Sequence, residues 1–128
     1  ASSSVFVNCN KGQIQQLLLN LMINAMEAIT QKKLSTVEKN EAQTIHISTN
    51  RVSEKRNTQV VVRVSDTGAG VAREIQEYIF DSFLTGKKDG TGLGLSISKR
   101  ILKSHRGDIR LVQSGPEGTV FEFWLPAA

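Results

Sequence analysis

Cysteine, long apolar runs and runs of like charge are all scarce in this chain. Its 128 residues include one cysteine, Cys9, which excludes an internal disulfide and fits a reducing compartment. We expect Cys9 to be a small buried apolar side chain, because no pattern around it suggests a base that would activate a nucleophile. The longest charge-free stretch, residues 12–26, is too short to cross a bilayer and contains several amides.

Charge is spread evenly along the chain. The net charge is +4, yet no run of basic residues is longer than a pair. This pattern disfavours nucleic-acid binding, whereas an anionic small ligand such as a nucleotide suits it. The length and apolar content predict one globular domain over residues 1–128, in which residues 1–4 are a linker or a remnant of a longer protein.

Apolar spacing predicts helices mixed with hairpins rather than a regular strand–helix alternation. The predicted helices cover residues 11 to about 31, 72–78, and 93 to about 104, and residues 32–43 form a polar connector. The predicted strands cover residues 44–49, 59–64, 108–113 and 119–125, with a hairpin connection over residues 50–58. This order favours a two-layer α+β sandwich in which about three helices cover one face of a mixed, mainly antiparallel sheet.

The first helix carries amides where a core helix is normally apolar. Gln16, Asn20 and Asn24 are four residues apart and therefore share one stripe among leucines. An unpartnered buried amide costs roughly 1–3 kcal/mol, so these side chains need partners. Either they bond to neighbouring backbone groups, or they face a cavity with a hydrated cation such as Mg²⁺, which takes oxygen ligands and keeps several waters.

An acidic residue ends the second predicted strand. In the run that follows Asp66, Gly68 and Gly70 let the chain turn closely over whatever the carboxylate binds. An ionised carboxylate only accepts hydrogen bonds, so it would select a ligand with an N–H donor, such as the adenine amine. An ordinary tight turn is the alternative interpretation.

Three alternating glycines, Gly90, Gly92 and Gly94, stand directly before the last predicted helix. Such a loop favours an anion, because the backbone can approach closely and the first N–H groups of the helix are unpaired. The spacing fits neither the dinucleotide fingerprint, since Leu95 occupies the third glycine position, nor the P-loop. Phe80 and Phe83 precede the loop, either as core residues or as anchors of a hinged flap.

The order of these features resembles the ATP-binding catalytic domain of sensor histidine kinases. An Asn stripe is followed by Asp-x-Gly-x-Gly, a Phe-containing flap, Gly-x-Gly-x-Gly and a closing Gly118-Thr119. The resemblance covers residues 5–126, and the combination is specific although each part alone is weak. It implies the α/β sandwich shared with the ATPase domains of DNA gyrase and related proteins.

The resemblance implies a role for each matching residue. Asn24 is the principal magnesium ligand, Asn20 assists it or organises ligand water, and Asp66 receives the adenine amine. The other implied contacts are Gly68, Gly70 and Thr119 with adenine, Phe80 and Phe83 as lid anchors, Gly90, Thr91, Gly92, Leu93 and Gly94 around the phosphates, and Lys87 with a phosphate.

The implied reaction is transfer of the γ-phosphoryl group of ATP to a histidine. In gyrase-like ATPases a glutamate at the position of Asn20 activates water, and an amide is a poor general base, so transfer is favoured over hydrolysis. Acceptor histidines of the family are followed by an acidic residue, whereas His46 and His105 are not. We expect both to be structural or surface residues, and the acceptor to lie on a dimerisation domain that this chain lacks.

Two departures from the family pattern and two rival functions stay open. Glu27 stands where many members have a basic residue, and only residues 84–89 separate Phe83 from Gly90. The rivals are a protein-serine kinase of the anti-sigma-factor type and a nucleotide-sensing module without transfer activity. The expected partner is a response regulator. We expect this domain to contact neither nucleic acid nor membrane and to be cytoplasmic. A membrane anchor elsewhere in the parent protein stays open.

Overall fold

A computed structural model describes residues 4–35, 43–81 and 94–128 of the chain. The helices are α1 (Lys11–Ser35), a 3₁₀ helix (Arg73–Tyr78) and α2 (Gly94–Ser104). The strands are β1 (Ile45–Glu54), β2 (Asn57–Asp66), β3 (Asp108–Gly115) and β4 (Gly118–Pro126). The α+β fold class is therefore confirmed.

The four strands form one sheet in the order β1-β2-β4-β3. We expected a mixed, mainly antiparallel sheet, and every pairing among the described strands is antiparallel. The order places β2 and β4 at the centre, and these are the strands richest in valine, phenylalanine and other residues that pack well on a pleated surface. The carboxyl end of β2 consequently lies beside the start of β4.

The core lies between the two α-helices and one face of this sheet. Leu17 and Leu21 from α1 and Leu102 from α2 are fully or almost fully buried. They belong to one cluster with Val64, Phe121 and other inward-facing strand residues. Burying apolar area at about 25 cal/mol per Å² is the main source of stability for such a two-layer domain.

Local hydrogen bonds define the helix ends. The Asn10 side chain accepts a hydrogen bond from the Gln13 N–H at 3.1 Å and caps the start of α1. After α2 the chain turns through Arg106, whose φ is +64°, and the Gly107 N–H donates to the Leu102 carbonyl at 2.8 Å. The prediction that Arg106 and Gly107 end this helix is confirmed.

Three sequence-based predictions need correction. The hairpin between the first two strands is confirmed, but its expected connection over residues 50–58 is too long: β1 runs to Glu54, β2 starts at Asn57, and only two residues turn between them. Alternating polar side chains on this exposed hairpin obscured the strand pattern. Helix α1 continues to Ser35, beyond the expected end near residue 31, and Cys9 is exposed rather than buried.

Among the described residues, no helix is both long and apolar enough to span a membrane. This finding agrees with the expectation from residues 12–26.

Candidate functional site

The carboxyl end of β2 carries the first part of the candidate site. Asp66 pairs with Thr119 of β4, and Thr119 pairs on its other side with Ser114 of β3, so the three residues form one row across the sheet. Asp66 is 7% and Thr119 2% exposed. A carboxylate and a hydroxyl, predicted as two contacts to the same base, thus lie side by side in a buried position.

The loop after Asp66 is seated on helix α1. The Asp66 carboxylate accepts a hydrogen bond from the Gly68 N–H at 2.8 Å, and the Ala69 N–H donates to the Ala28 carbonyl at 3.0 Å. A Cβ at Gly68 would lie 2.5 Å from the carbonyl carbon of Ala28. Only glycine fits there, and the close approach joins the loop to the helix that carries the amide stripe.

The far end of the same loop is bound to the hairpin between β3 and β4. Gly70 has a φ of +81°, and a Cβ on it would lie 2.4 Å from the Gly115 carbonyl oxygen. The next residue, Val71, donates its N–H to the Ser114 hydroxyl at 2.7 Å, and Ser114 Oγ lies 3.1 Å from Thr119 Oγ1. The loop is therefore held at both ends, by Asp66 and by Ser114.

The amide stripe of α1 leads directly to this loop. Asn20, Asn24 and Ala28 follow one another at four-residue spacing, so they lie on successive turns of the helix. Asn20 Nδ2 is buried and has no hydrogen-bond partner within the described parts of the chain. Because an orphaned buried amide is costly, this group fits a ligand or a ligand-bound water that completes its hydrogen bonding.

The donor set fits magnesium bound together with a polyphosphate better than a metal held by protein alone. The described ranges contain no cluster of three or more histidine, cysteine or acidic side chains that could hold an ion. Mg²⁺ in nucleotide sites uses one or two protein oxygens, several waters and the phosphates. Two amides on one stripe, one of which has an orphaned N–H donor, are compatible with that chemistry.

Phe80 lies at the edge of the core. Its ring meets Phe121 edge to face, with centroids 6.2 Å apart, and the Lys99 ammonium lies 5.2 Å from its centroid. Both interactions stabilise the ring by about 1 kcal/mol each or less. Of the two interpretations open for Phe80, core packing describes what is observed. A ring packed in this way would also anchor the segment that follows.

Two lysines of α2 fix this helix to the sheet. Lys99 and Lys103 lie 3.2 and 2.9 Å from the Asp108 carboxylate at the start of β3. Burial, the largest single influence, raises the pKa of Asp108, but hydrogen bonds from Lys103, the Ile109 N–H and Lys99 together outweigh it and hold the pKa below its ordinary value. The anchored helix begins at Gly94, the last residue of the predicted glycine loop.

Several predicted site residues fall outside the described parts of the chain. They are Phe83, Lys87, Gly90, Thr91, Gly92 and Leu93. The residues that the structure does bring together are Asp66, Gly68, Gly70 and Thr119, with Asn20 and Asn24 on the adjoining helix.

Both histidines have the structural or surface positions that were predicted. His46 is exposed on β1. His105 Nε2 accepts a hydrogen bond from the Asn10 N–H at 3.0 Å, while its Nδ1 lies 2.7 Å from the Ile101 carbonyl oxygen. This geometry assigns the proton of the neutral ring to Nδ1 and ties the start of α1 to the end of α2.

Sequence reasoning missed three residues around the loop. Ser114 lay between two predicted strands, Ala28 within the first predicted helix, and Lys32 in the predicted polar connector, and none of them was given a role. Lys32 lies on α1, and its ammonium donates to the Thr67 carbonyl at 3.1 Å. The strand register would have been needed to find Ser114, because its partner Thr119 lies across a turn.

Comparison with known proteins identifies the family of this chain. Residues 9–128 match the family model described as "Histidine kinase-, DNA gyrase B-, and HSP90-like ATPase". The chain is 36% identical over 120 residues to the signal transduction histidine-protein kinase AtoS of Escherichia coli strain K12, covering 94% of this chain and 18% of AtoS. The chain thus spans about a fifth of the length of the curated relatives it matches.

Solved structures show the same fold. The nucleotide-free catalytic domain of histidine kinase ThkA has a TM-score of 0.69 and 36% identity, covering 94% of this chain and 70% of that one. Full-length ShkA in complex with AMPPNP has a TM-score of 0.75 and 28% identity, covering 99% of this chain and 24% of that one. With its family match, its antiparallel sheet and its Asp66 loop, this chain belongs to the histidine kinase-, DNA gyrase B- and HSP90-like ATPase family.

Proposed function

We propose that this chain is the catalytic ATP-binding domain of a sensor histidine kinase and that the Asp66 row is its adenine site. The observation that carries the proposal is a buried carboxylate beside a buried hydroxyl under a loop that admits only glycine at residue 68. Asp66 accepts a hydrogen bond from the adenine amine, and Thr119 supports the base from β4. A site committed to that donor disfavours bases that lack it, because the hydrogen bond from the amine to the carboxylate is then lost.

The amide stripe is the proposed magnesium position. Asn24 supplies a ligand oxygen, and Asn20, whose Nδ2 is orphaned and buried, bonds to a ligand water or a phosphate oxygen. When bound, the ion neutralises negative charge on the β- and γ-phosphates. The amides of α1, together with Asp66 and Thr119, hold the nucleotide in one orientation, which is the main protein contribution to phosphoryl transfer.

The segment before α2 is the proposed phosphate lid. Phe80 and Phe83 anchor it, Gly90, Thr91, Gly92, Leu93 and Gly94 wrap the phosphates, and Lys87 contacts one of them. Support comes from the two ends that the structure describes: Phe80 is packed on Phe121, and Gly94 begins a helix that is anchored through Asp108.

The proposed reaction transfers the γ-phosphoryl group to an imidazole nitrogen of a separate acceptor domain. The bond from the γ-phosphorus to its bridging oxygen breaks, a phosphorus–nitrogen bond forms, and ADP leaves. Neither His46 nor His105 is the proposed acceptor: neither is followed by an acidic residue, and His105 also uses both ring nitrogens within the fold. The proposal includes a parent sensor kinase with a histidine-bearing dimerisation domain, a response regulator downstream, and a cytoplasmic site of action.

The experiment is phosphotransfer in trans with γ-labelled ATP. The chain is incubated alone and then with the segment that precedes it in the parent protein, produced separately. We expect no label on the chain alone and acid-labile label on a histidine of the added segment. Asp66→Asn serves as the inactive control.

Other outcomes would redirect the proposal. Acid-labile phosphate on His46 or His105 would contradict the assignment of the acceptor. Acid-stable label on a serine of another protein would favour the serine-kinase alternative. Tight ATP binding with no transfer to any added segment would favour a nucleotide-sensing module.

A further inference from the structure

Ser114 has a role that neither its turn-like sequence context nor the proposed contacts account for. Its hydroxyl is the acceptor for the Val71 N–H at 2.7 Å and lies 3.1 Å from the Thr119 hydroxyl. Ser114 is half-buried, and its register partner Thr119 is almost fully buried. One side chain therefore touches both the end of the glycine loop and the residue proposed to support the base.

Either hydroxyl can be the donor in this pair, and the direction decides where the second hydroxyl proton points. Each hydroxyl has one proton to donate and lone pairs to accept. No other hydrogen bond to Ser114 Oγ is recorded among residues 4–35, 43–81 and 94–128. If Ser114 donates to Thr119, then Ser114 both accepts and donates, and the Thr119 proton is left on the side of Asp66, its other register partner.

This direction gives the pocket an ordered pair of polar groups. The Asp66 carboxylate is an acceptor, and the Thr119 hydroxyl becomes a donor beside it. The Watson–Crick edge of adenine presents an amine donor at N6 and an acceptor at N1. The same edge of guanine presents an acceptor at O6 and a donor at N1. The pair therefore matches adenine and opposes guanine at both positions.

We propose that Ser114 is a positioning residue that orients the Thr119 hydroxyl as a donor toward N1 of the base and so contributes to selectivity for adenine. The inference rests on the proposed function, because it assumes that the Asp66 row binds the base. It goes beyond that function by assigning the selectivity at N1 to a residue that does not touch the nucleotide.

The test compares ADP with 1-deaza-ADP, which keeps the N6 amine but lacks the N1 acceptor. Dissociation constants of both are measured by titration calorimetry for the 128-residue chain and its variants. For the unaltered chain we expect ADP to bind roughly five- to tenfold more tightly than 1-deaza-ADP, as one hydrogen bond provides. In Ser114→Ala the ratio of the 1-deaza-ADP dissociation constant to the ADP dissociation constant should fall to within about twofold of unity, since the Thr119 hydroxyl is no longer oriented.

Two further variants and a matched control complete the design. Ser114→Thr keeps a hydroxyl and should retain the ratio, while Ser114→Cys, with a poor donor of similar size, should lower it even where Ser114→Ala is too unstable to measure. The control is Ser53→Ala, which removes the hydroxyl of a Ser–Thr pair at the same 3.1 Å distance, between Ser53 and Thr58 on the exposed hairpin. Its ratio should equal that of the unaltered chain.

The outcomes separate this inference from the proposed function. An unaltered chain that binds ADP but shows the same ratio as Ser114→Ala and Ser114→Cys would overturn the inference, even if those variants bind ADP more weakly. Such a result would reduce Ser114 to a support for the Val71 loop. An unaltered chain that binds neither nucleotide would overturn the proposed function itself.

Discussion

At the scale of single residues, the backbone next to Asp66 needs glycine for two different physical reasons. At Gly68 the reason is space, because a Cβ would overlap the backbone of Ala28. At Gly118 the reasons are both space and conformation, since its φ is +134° and a Cβ would lie 1.8 Å from the Asp66 carbonyl oxygen. The loop can thus lie close to α1 at Gly68, and the β3–β4 turn can lie close to the backbone of Asp66 at Gly118.

The magnesium role of Asn24 gives the prediction at this scale. Asn24→Ala should remove the magnesium-dependent part of nucleotide affinity, because a ligand oxygen is lost while the adenine contacts stay. The measurement is the affinity for AMPPNP with Mg²⁺ and with excess EDTA. We expect roughly tenfold tighter binding with Mg²⁺ in the unaltered chain and a ratio near one in the variant.

The matched control is Gln16→Ala, an exposed amide on the same stripe two turns before Asn24. Its magnesium dependence should be unchanged. Equal binding of AMPPNP with and without Mg²⁺ in the unaltered chain would contradict the metal role of the stripe.

Residue spacing predicted much of the described site but not its supports. Asp66, Gly68 and Gly70 stand in a local pattern whose chemistry can be deduced from sequence, and the amide stripe follows from helical periodicity. Ser114 could not be found in this way, because its role depends on a contact to Val71, distant in sequence, and on the pairing of β3 with β4. Cys9 was misjudged because its exposure depends on where the segment before α1 runs.

At the scale of elements, a charged cluster joins the three strands on the side of the sheet away from the core. Glu122 of β4 lies opposite Arg63 of β2 and Arg110 of β3. Its carboxylate accepts hydrogen bonds at 2.7 Å from Arg63 and at 2.9 Å from Arg110. The bond from Arg63 is the largest cause that lowers the pKa of Glu122, burial opposes it, and Arg110 adds to the lowering.

This lowered pKa predicts a pH-dependent contribution to folding. A carboxyl whose pKa is lower in the folded chain stabilises it above the unfolded value, near 4.5, and loses that effect as the pH falls through the folded pKa. Glu122→Gln should therefore reduce the free energy of unfolding by about 1 kcal/mol at neutral pH, since both arginines are about half exposed. The difference should shrink below about pH 4.5.

Chemical denaturation of both chains between pH 3 and 7 checks this prediction, with Glu117→Gln in the exposed β3–β4 turn as the control. A stability difference that stays constant over this range would show that the charge of Glu122 contributes nothing.

Element order and type were predictable, whereas strand ends were not. Helix α1, helix α2 and strands β2 and β4 have the apolar periodicity of buried elements, so their positions follow from the sequence. The hairpin of β1 and β2 extends past the core, where its side chains are exposed and alternate without an apolar face. Pairing with β2 along ten residues, rather than any pattern of its own, is what keeps β1 extended to Glu54.

At the scale of the whole molecule, residues 9–128 match the family's ATPase model, and the chain spans about a fifth of the length of its curated relatives. Its two layers bring the helix of the amide stripe into contact with the Asp66 loop, where β2 ends. Such an arrangement can bind and orient a nucleotide within a single domain. Transfer to a histidine needs a second domain, as we propose for the parent protein.

The most direct test of the account is the affinity of this chain for AMPPNP in Mg²⁺, before and after Asp66→Asn. We expect saturable one-to-one binding by the unaltered chain and an affinity lower by roughly 100-fold or more in the variant, whose amide presents a donor to the adenine amine. The thermal unfolding midpoint of each protein confirms that both are folded. Equal affinity of two folded proteins would contradict the assignment of Asp66 to adenine and the central claim with it.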